Sequence, residues 1–533
     1  MDGWREGRIL TAVPPGHNPL PDPILLKIQF PSSQLIHDLP LMLNSSFART
    51  LLLAILCALE SFARAATANV PPNIVLIITD DQGYGDCTSF GKTDLQTPFM
   101  DEIARNGVRF TRFRVNPLCS PTRSSVMTGL YSLENGMWRG PGESARAEPP
   151  GGWPAKERRI KDDIIMLPQL LKQAGYATGA FGKWHLGYDP KNIPTARGFD
   201  RFFGFLGGAH PYWLVANSRV EDLEGKPVNS GHTTDLFADH AINFIRAQAK
   251  AGQPFFCYLP FNAVHGPLRR ESSPRDSAKP EWLAYYEKRG VEQPRRDYCA
   301  VMTHADSRIG DVLKTLRELG IEKNTLVICH SDNGGILHDY PSNNGPLRGG
   351  KGETYEGGIR VPAMLQWPGV IPAGTTSNAN AAHFDVFATV LDAAGVPVPS
   401  KNGRWPVHGV SLLPHAKSKA QTPLPDRTLF WDLYGDCGAV HGKWKLVGQI
   451  ENHGGDFRRA VAEAEKKEFE LYNLDEDIGE KNNLAAKFPE IYADLKQRHL
   501  AWLRQFATDA GPQPPRPDGA KKDRKKKSKA VQP

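Results

Sequence analysis

Four short runs of β-branched and aromatic residues punctuate the chain, at residues 74–79, 177–182, 255–259 and 326–329. Each is apolar throughout, the pattern of a strand buried on both faces. Helical spacing fills the intervals. Thr97 as N-cap, Pro98 at the first helical position and Gly107 at the end bracket one helix. Residues 164–174 are apolar at helical spacing and stop at Gly175. Residues 297–319 carry Val301, Ile309, Val312, Leu313 and Leu316 on one face and end at Gly320. Strands alternating with helices predict an α/β fold, a large mixed, mainly parallel sheet sandwiched by helices. After about residue 410 the pattern changes. Residues 428–434, 439–441 and 444–447 read as short antiparallel strands, and Leu484, Ile491, Leu495, Leu500 and Leu503 mark a helix. This predicts a smaller α+β domain over residues 421–510, following a larger domain over residues 70–420.

The two ends read differently. Residues 51–59 (LLLAILCAL) form an apolar run about half the roughly 20 residues that span a bilayer. Arg49 precedes it and Ala63-Arg64-Ala65 offers a cleavage site, the layout of a secretory signal peptide. Met42 would give it a normal start. Residues 42–65 are therefore read as the signal, residues 1–41 as an upstream extension, and the protein as periplasmic or secreted. No other stretch suits a membrane span. The formal net charge is +7, and residues 521–529 hold seven Lys or Arg and one Asp. The excess charge thus sits in a basic tail, residues 511–533, too polar to pack a core. The rest is nearly neutral, which argues against nucleic acid. Seven cysteines are irregularly spaced and imply no disulfide framework. Cys257 and Cys329 fall in strand-like runs, whereas Cys119 lies in a polar, proline-containing segment.

The chemistry gathers after the strands. Asp80-Asp81 follow the first, Lys183 and His185 the second, His265 the third and Asp332-Asn333 the fourth. In open α/β sheets ligands bind outside the carboxyl ends of the strands, so four clusters would converge on one rim. Asp80, Asp81, Asp332 and Asn333 offer only oxygen, which suits Ca²⁺ or Mg²⁺. Three carboxylates together would repel without a cation. Arg123, Lys183, His185, His265 and Lys351 add positive charge, and the whole implies an anionic group such as sulfate or phosphate. Cys119 precedes a Pro121-led helix start, where free N–H groups attract anions. Read alone, it is either a low-pKa thiolate nucleophile or a small residue at a tight helix entry.

Cys119-Ser120-Pro121-Thr122-Arg123 resembles the C-x-P-x-R signature of the formylglycine-dependent sulfatases, on the alkaline-phosphatase-like fold. Residues 73–85 (NIVLIITDDQGYG), 179–187 (GAFGKWHLG), 331–335 (SDNGG), 347–362 (LRGGKGETYEGGIRVP) and 470–484 (ELYNLDEDIGEKNNL) are similar to that family's other blocks. The resemblance spans roughly residues 70–505. It implies a sulfatase whose Cys119 is oxidised by a formylglycine-generating maturation enzyme to an aldehyde held as its hydrate. One hydroxyl attacks sulfur and expels the alcohol; loss of the other proton then eliminates sulfate, splitting one hard step into two. By the same carry-over Asp80, Asp81, Asp332 and Asn333 bind one Ca²⁺, which Cys119 also contacts as formylglycine. Arg123 and His185 hold the hydrate, Lys183 and Lys351 neutralise sulfate oxygens, and His265 is the general acid.

Two other readings stand beside this one: a phosphodiester or phosphonate monoester hydrolase on the same fold, and a non-catalytic anion-binding protein with Cys119 unconverted. The substrate is expected to be a sulfated carbohydrate or an aryl sulfate. His210 and Tyr212 are candidates for substrate contact, with loop packing as the alternative. Trp138, Trp153, Tyr212 and Trp213 could stack on a sugar. His304 and His330 read as structural. N-terminal sequencing of exported protein is expected to begin near Ala66; finding residues 1–41 intact there would overturn the signal-peptide reading.

Overall fold

The computed structural model describes residues 71–138, 140, 159–214, 221–222, 228, 230–266, 268, 277–337 and 341–507. The expectations for residues 1–41, 42–65 and 511–533, and for Trp153, lie outside them.

Nine strands form the main sheet: β1 (Asn73–Thr79), β2 (Val108–Phe110), β3 (Ala177–Lys183), β4 (Arg201–Phe205), β5 (Glu221–Asp222), β6 (Phe255–Pro260), β7 (Thr325–Ser331), β8 (Ala363–Gln366) and β9 (Thr375–Ser377). Their spatial order is β9-β2-β8-β7-β1-β6-β3-β4-β5. The central five, β7-β1-β6-β3-β4, are parallel; β8 and β5 flank them antiparallel. The fold is therefore a mixed, mainly parallel sheet between helices, with a separate antiparallel sheet towards the C-terminus.

The uniformly apolar strands follow from double coverage. Val75 and Ile77 of β1, with Cys257, Leu259, Val327 and Cys329, pack under helices α4 (Thr233–Ala251) and α5 (Arg295–Glu318). Ile74, Leu76 and Ile78, with Phe256, Tyr258 and Ile328, face α2 (Cys119–Thr128) and α3 (Leu167–Gln173). Successive side chains point to opposite faces, so one strand feeds both cores. At the end of β3, Gly182 has φ 138 and a Cβ there would sit 2.0 Å from the Pro260 carbonyl oxygen. Glycine is what lets β3 close on β6 just before Lys183.

Local details differ from the sequence pattern. Helix α1 (Pro98–Arg105) has Thr97 at its N-cap, but the Thr97 side chain makes no capping bond. Asp306 from α5 accepts the Phe99 and Met100 N–H groups at 3.0 and 2.8 Å instead. Helix α3 begins three residues later than the apolar pattern suggests. Pro168 belongs in its first turn, and Asn402 engages both the N–H and the carbonyl of Ile165 at 2.8 and 2.7 Å.

The second sheet is a meander of β10 (Thr428–Leu433), β11 (Asp436–His441), β12 (Trp444–Gln449) and β13 (Glu470–Asn473). The fourth strand was not anticipated from the pattern: helix Phe457–Lys466 separates it from its partner β12. Helix α6 (Pro489–Ala507) buries Leu495, Leu500, Trp502 and Leu503 against it. Leu484 lies outside that helix and its N–H bonds the Leu471 carbonyl at 2.7 Å.

A buried ionic network joins this sheet to the rest of the chain. Glu356 accepts from Arg114 through both carboxylate oxygens at 2.9 Å and from Lys445 at 3.1 Å, and lies 3.4 Å from Arg360. Lys445 reaches Glu480 at 2.8 Å. Burial alone would raise the Glu356 carboxyl; Arg114 and Lys445 hold it well below the usual range. Removing one member of a buried pair strands its partners, at a cost of about 3–5 kcal/mol. Glu356→Gln should therefore lower stability by about that amount in denaturant unfolding; a change within experimental error would show the network to be dispensable.

Candidate active site

β1 and β7 are parallel neighbours with Thr79 opposite Ser331, so the residues that follow meet. The Asp81 N–H reaches Asp332 Oδ1 at 3.2 Å, and Asn333 Nδ2 donates to Asp81 Oδ1 at 2.7 Å. Asp81 sits at φ 61, a left-handed turn that brings its carboxyl back over the strand ends. Two strands away, Lys183 closes β3 and its Nζ lies 2.6 Å from Asp80 Oδ2. His185, at φ 57, follows; its carbonyl accepts from Ser120 Oγ at 2.8 Å.

Helix α2 supplies the other half. Cys119 is its first residue and Arg123 stands one turn on, on the same face. Arg123 donates to Asp332 Oδ2 through Nε at 2.9 Å and Nη2 at 2.7 Å, and to the Lys183 carbonyl at 3.1 Å. Cys119 Sγ and one oxygen each of Asp80, Asp81 and Asp332 lie within 4.8 Å of one another. Lys351 arrives on the loop before β8. Its Nζ is 2.6 Å from Asp81 Oδ1, and its N–H bonds the Gly335 carbonyl at 3.1 Å. His265 follows β6, with Nδ1 donating to the Gly266 carbonyl at 2.7 Å and Nε2 3.8 Å from Asp81 Oδ2. All ten residues singled out from the sequence thus gather at one rim of the sheet.

The rim is buried and charged. Asp80, Arg123, Lys183, Asp332 and Asn333 have no solvent exposure. Burial would raise the Asp80 carboxyl, but Lys183, with His265, Arg123 and Lys351, drives it far down. Asp332 goes the other way, raised by burial and by the charge of Asp80. Burial and the cations Lys183 and Arg123 hold His185 well below its usual range, and burial lowers His265. Burial works against the Lys351 ammonium, yet Asp81 raises it. Asp80 Oδ1, Asp81 Oδ2 and Asn333 Oδ1 are buried and make no hydrogen bond. Orphaned oxygens of this kind are uncommon in a folded interior. An all-oxygen set fits a hard divalent cation.

Some expectations need revision. Cys119 is no low-pKa thiolate: burial pushes its thiol up to about 11, against the pull of Lys183 and Lys351. Tyr212 is buried, and its hydroxyl donates to the carbonyls of Asn262 and His265 at 2.9 and 3.1 Å. It braces the His265 turn rather than facing substrate. His210 packs its ring on Phe205 at 5.0 Å, Trp213 lies edge-on to His232 at 4.9 Å, and Trp138 is 7% exposed. His304 pairs with Asp235 and His330 is buried. Ser120 was missed, since a lone serine beside Cys119 gives no sign that it bonds the His185 carbonyl.

The Sulfatase family pattern matches residues 72–396, the stretch that carries this rim. The chain belongs to the sulfatase family. A second pattern, N-sulphoglucosamine sulphohydrolase, C-terminal, matches residues 350–505 of this sulfatase. N-acetylgalactosamine-6-sulfatase of Rattus norvegicus is 35% identical over 433 residues, 76% of this chain and 75% of that protein. A sulfatase of Formosa agariphila is 29% identical, covering 86% of this chain and 93% of that one. The crystal structure of Ps i-CgsB in complex with k-i-k-neocarrahexaose superposes with TM-score 0.69 at 29% identity, over 81% and 93% of the chains. A phosphonate monoester hydrolase from Silicibacter pomeroyi, 20% identical with TM-score 0.55 over 82% and 96%, shares the fold.

An unmodified Cys119 is protonated below about pH 11. In unconverted protein its alkylation by iodoacetamide should be slow at pH 8 and rise steeply towards pH 11. Rapid labelling at pH 8 in the folded protein would contradict the burial described.

Proposed function

We propose that this sulfatase hydrolyses a sulfate monoester on a carbohydrate, with Cys119 converted to formylglycine and one Ca²⁺ at the rim. The observation that carries the reading is the meeting of Cys119 with Asp80, Asp81 and Asp332 within 4.8 Å, flanked by Lys183, Arg123 and Lys351. The high thiol pKa adds to it, since an unmodified Cys119 would be a poor nucleophile at neutral pH. A relative named N-acetylgalactosamine-6-sulfatase and a similar structure in complex with a neocarrahexaose support a sugar substrate.

Asp80, Asp81, Asp332 and Asn333 would hold the cation; Asp80 Oδ1, Asp81 Oδ2 and Asn333 Oδ1 have no other hydrogen-bond partner. Bound there, Ca²⁺ would supply positive charge to a sulfate oxygen and to the nucleophile. The formylglycine hydrate would supply one hydroxyl to attack sulfur and a second whose ionisation frees the product. Arg123, fixed by Asp332, orients the group at position 119 one helical turn away. His185 is neutral at rest and serves as a base for a hydrate proton. Lys183 and Lys351 balance the negative charge of the transferring sulfuryl group. His265 presents Nε2 to the leaving oxygen. Its Nδ1 proton is held by Gly266, so donation from Nε2 needs the imidazolium. An arriving sulfate favours that form, and Lys351 is the second proton donor at this position.

A formylglycine-generating enzyme is the partner this requires, and the signal peptide at residues 42–65 would carry the chain to the periplasm or outside. No described helix is long and apolar enough to cross a membrane.

Mass spectrometry of tryptic peptide 115–123 from a host that matures sulfatases should show formylglycine in place of Cys119. That protein should release sulfate from sulfated sugars and not cleave phosphate diesters. Cys119→Ala should lose at least about a thousandfold in turnover, and Asp332→Ala should lose bound Ca²⁺. An intact thiol beside a converted control sulfatase, or full activity in Cys119→Ala, would sink the reading.

A further inference from the structure

The hairpin joining β10 to β11 turns through Tyr434 and Gly435, both left-handed at φ 56 and φ 100. Two-residue turns of this hand favour Asn, Asp or Gly at the first place. A bulky aromatic there is an outlier, and such strain concentrates at functional positions. Tyr434 is also 36% exposed, one of the more exposed large apolar side chains among the described residues.

Three tethers carry this hairpin to the reacting centre. Trp431 donates its indole N–H to the Val115 carbonyl at 2.8 Å, four residues before Cys119. Thr354, three residues after Lys351, donates to the Cys437 carbonyl at 3.2 Å. The Tyr434 ring lies 6.4 Å from that of Trp138. Gly140, two residues further on, is so close to His185 that a Cβ there would sit 3.4 Å from Nε2. These three segments lead within four residues to the nucleophile, to Lys351 or to the neighbourhood of His185. Trp138 is buried and stacked on His453 with centroids 6.5 Å apart, and His453 is held by Asp432 at 2.8 Å. The exposed ring thus has a rigid backing.

We propose that Tyr434 forms a sugar subsite at the mouth of the active site, stacking the apolar face of a pyranose that neighbours the sulfated residue. This rests on the carbohydrate-sulfatase reading above. An aromatic plane on a fixed backing suits the C–H face of a sugar ring and loses little side-chain freedom on binding. The subsite selects for chain length and leaves the sulfuryl-transfer step untouched.

Tyr434→Asn removes the ring and gives the turn a residue it favours, so the fold should be retained and Tm unchanged or raised. Matured wild type, Tyr434→Asn and Tyr434→Phe would be compared on sulfated hexasaccharides, a neocarrahexaose and a chondroitin 6-sulfate hexasaccharide, and on 4-nitrophenyl sulfate. Tyr434→Asn should lose about tenfold in kcat/KM on the cleaved hexasaccharide, through KM, equivalent to about 1.4 kcal/mol. Its rate on 4-nitrophenyl sulfate should not change, and Tyr434→Phe should behave as wild type. Equal losses on both substrates, or none on the hexasaccharide, would overturn the subsite. So would a wild type that cleaves 4-nitrophenyl sulfate but neither hexasaccharide, which leaves the sulfatase reading standing. Matured protein inactive on every sulfate ester would remove the proposed function and the subsite with it.

Discussion

Three carboxylates, Asp80, Asp81 and Asp332, are forced together where two parallel strands end, and the surroundings answer that repulsion. Lys183, Arg123 and Lys351 each come from a different part of the chain and each pairs with one or two of the acids. Such a cluster out of water is tolerable only when nearly every charge has a partner. The sheet order places β3 two strands from β1, Gly182 permits the close approach, and α2 aims Arg123 at Asp332. The unpartnered oxygens that remain, Asp80 Oδ1, Asp81 Oδ2 and Asn333 Oδ1, are the part of the balance that a bound cation would complete.

The same logic links the smaller sheet to the chemistry. The loop that brings Lys351 to Asp81 continues into Glu356, whose charge is answered by Lys445 of the smaller sheet and by Arg114. Arg114 in turn lies five residues before Cys119. Arg348 on that loop donates to Tyr472 and to the Glu480 carbonyl at 2.9 and 3.0 Å. A buried ionic cluster at Glu356 and the Arg348 hydrogen bonds thus fix one loop at two points. The C-terminal sheet is thereby tied to the loop that carries Lys351.

Much of this was legible in the sequence because burial on both faces leaves an unambiguous apolar run. The four central strands were read to within two residues, and the polar residues after each fell on one rim. What escaped was set by contacts distant in sequence. Asp306 displaces Thr97 as the cap of α1 from 207 positions away. The Tyr212 hydroxyl finds two carbonyls some 50 residues on, so an aromatic in a loop turned out to be a brace. The thiol of Cys119 looked activated because a helix start attracts anions, but burial outweighs that effect. Strand β13 pairs with β12 across an intervening helix, a partnership no local pattern shows.

The separation of the site's parts along the chain has a consequence for biosynthesis. Arg123 and its partner Asp332 are 209 positions apart, and Lys351 lies further still. At about 5–20 residues per second, the segment around Cys119 leaves the ribosome roughly 10–40 s before the residues that enclose it exist. For that interval the thiol, later almost sealed from solvent, is an ordinary side chain on an unfinished polypeptide. Chemistry on it has a deadline set by translation, and slowing or speeding elongation would move that deadline without changing a single contact in the finished fold.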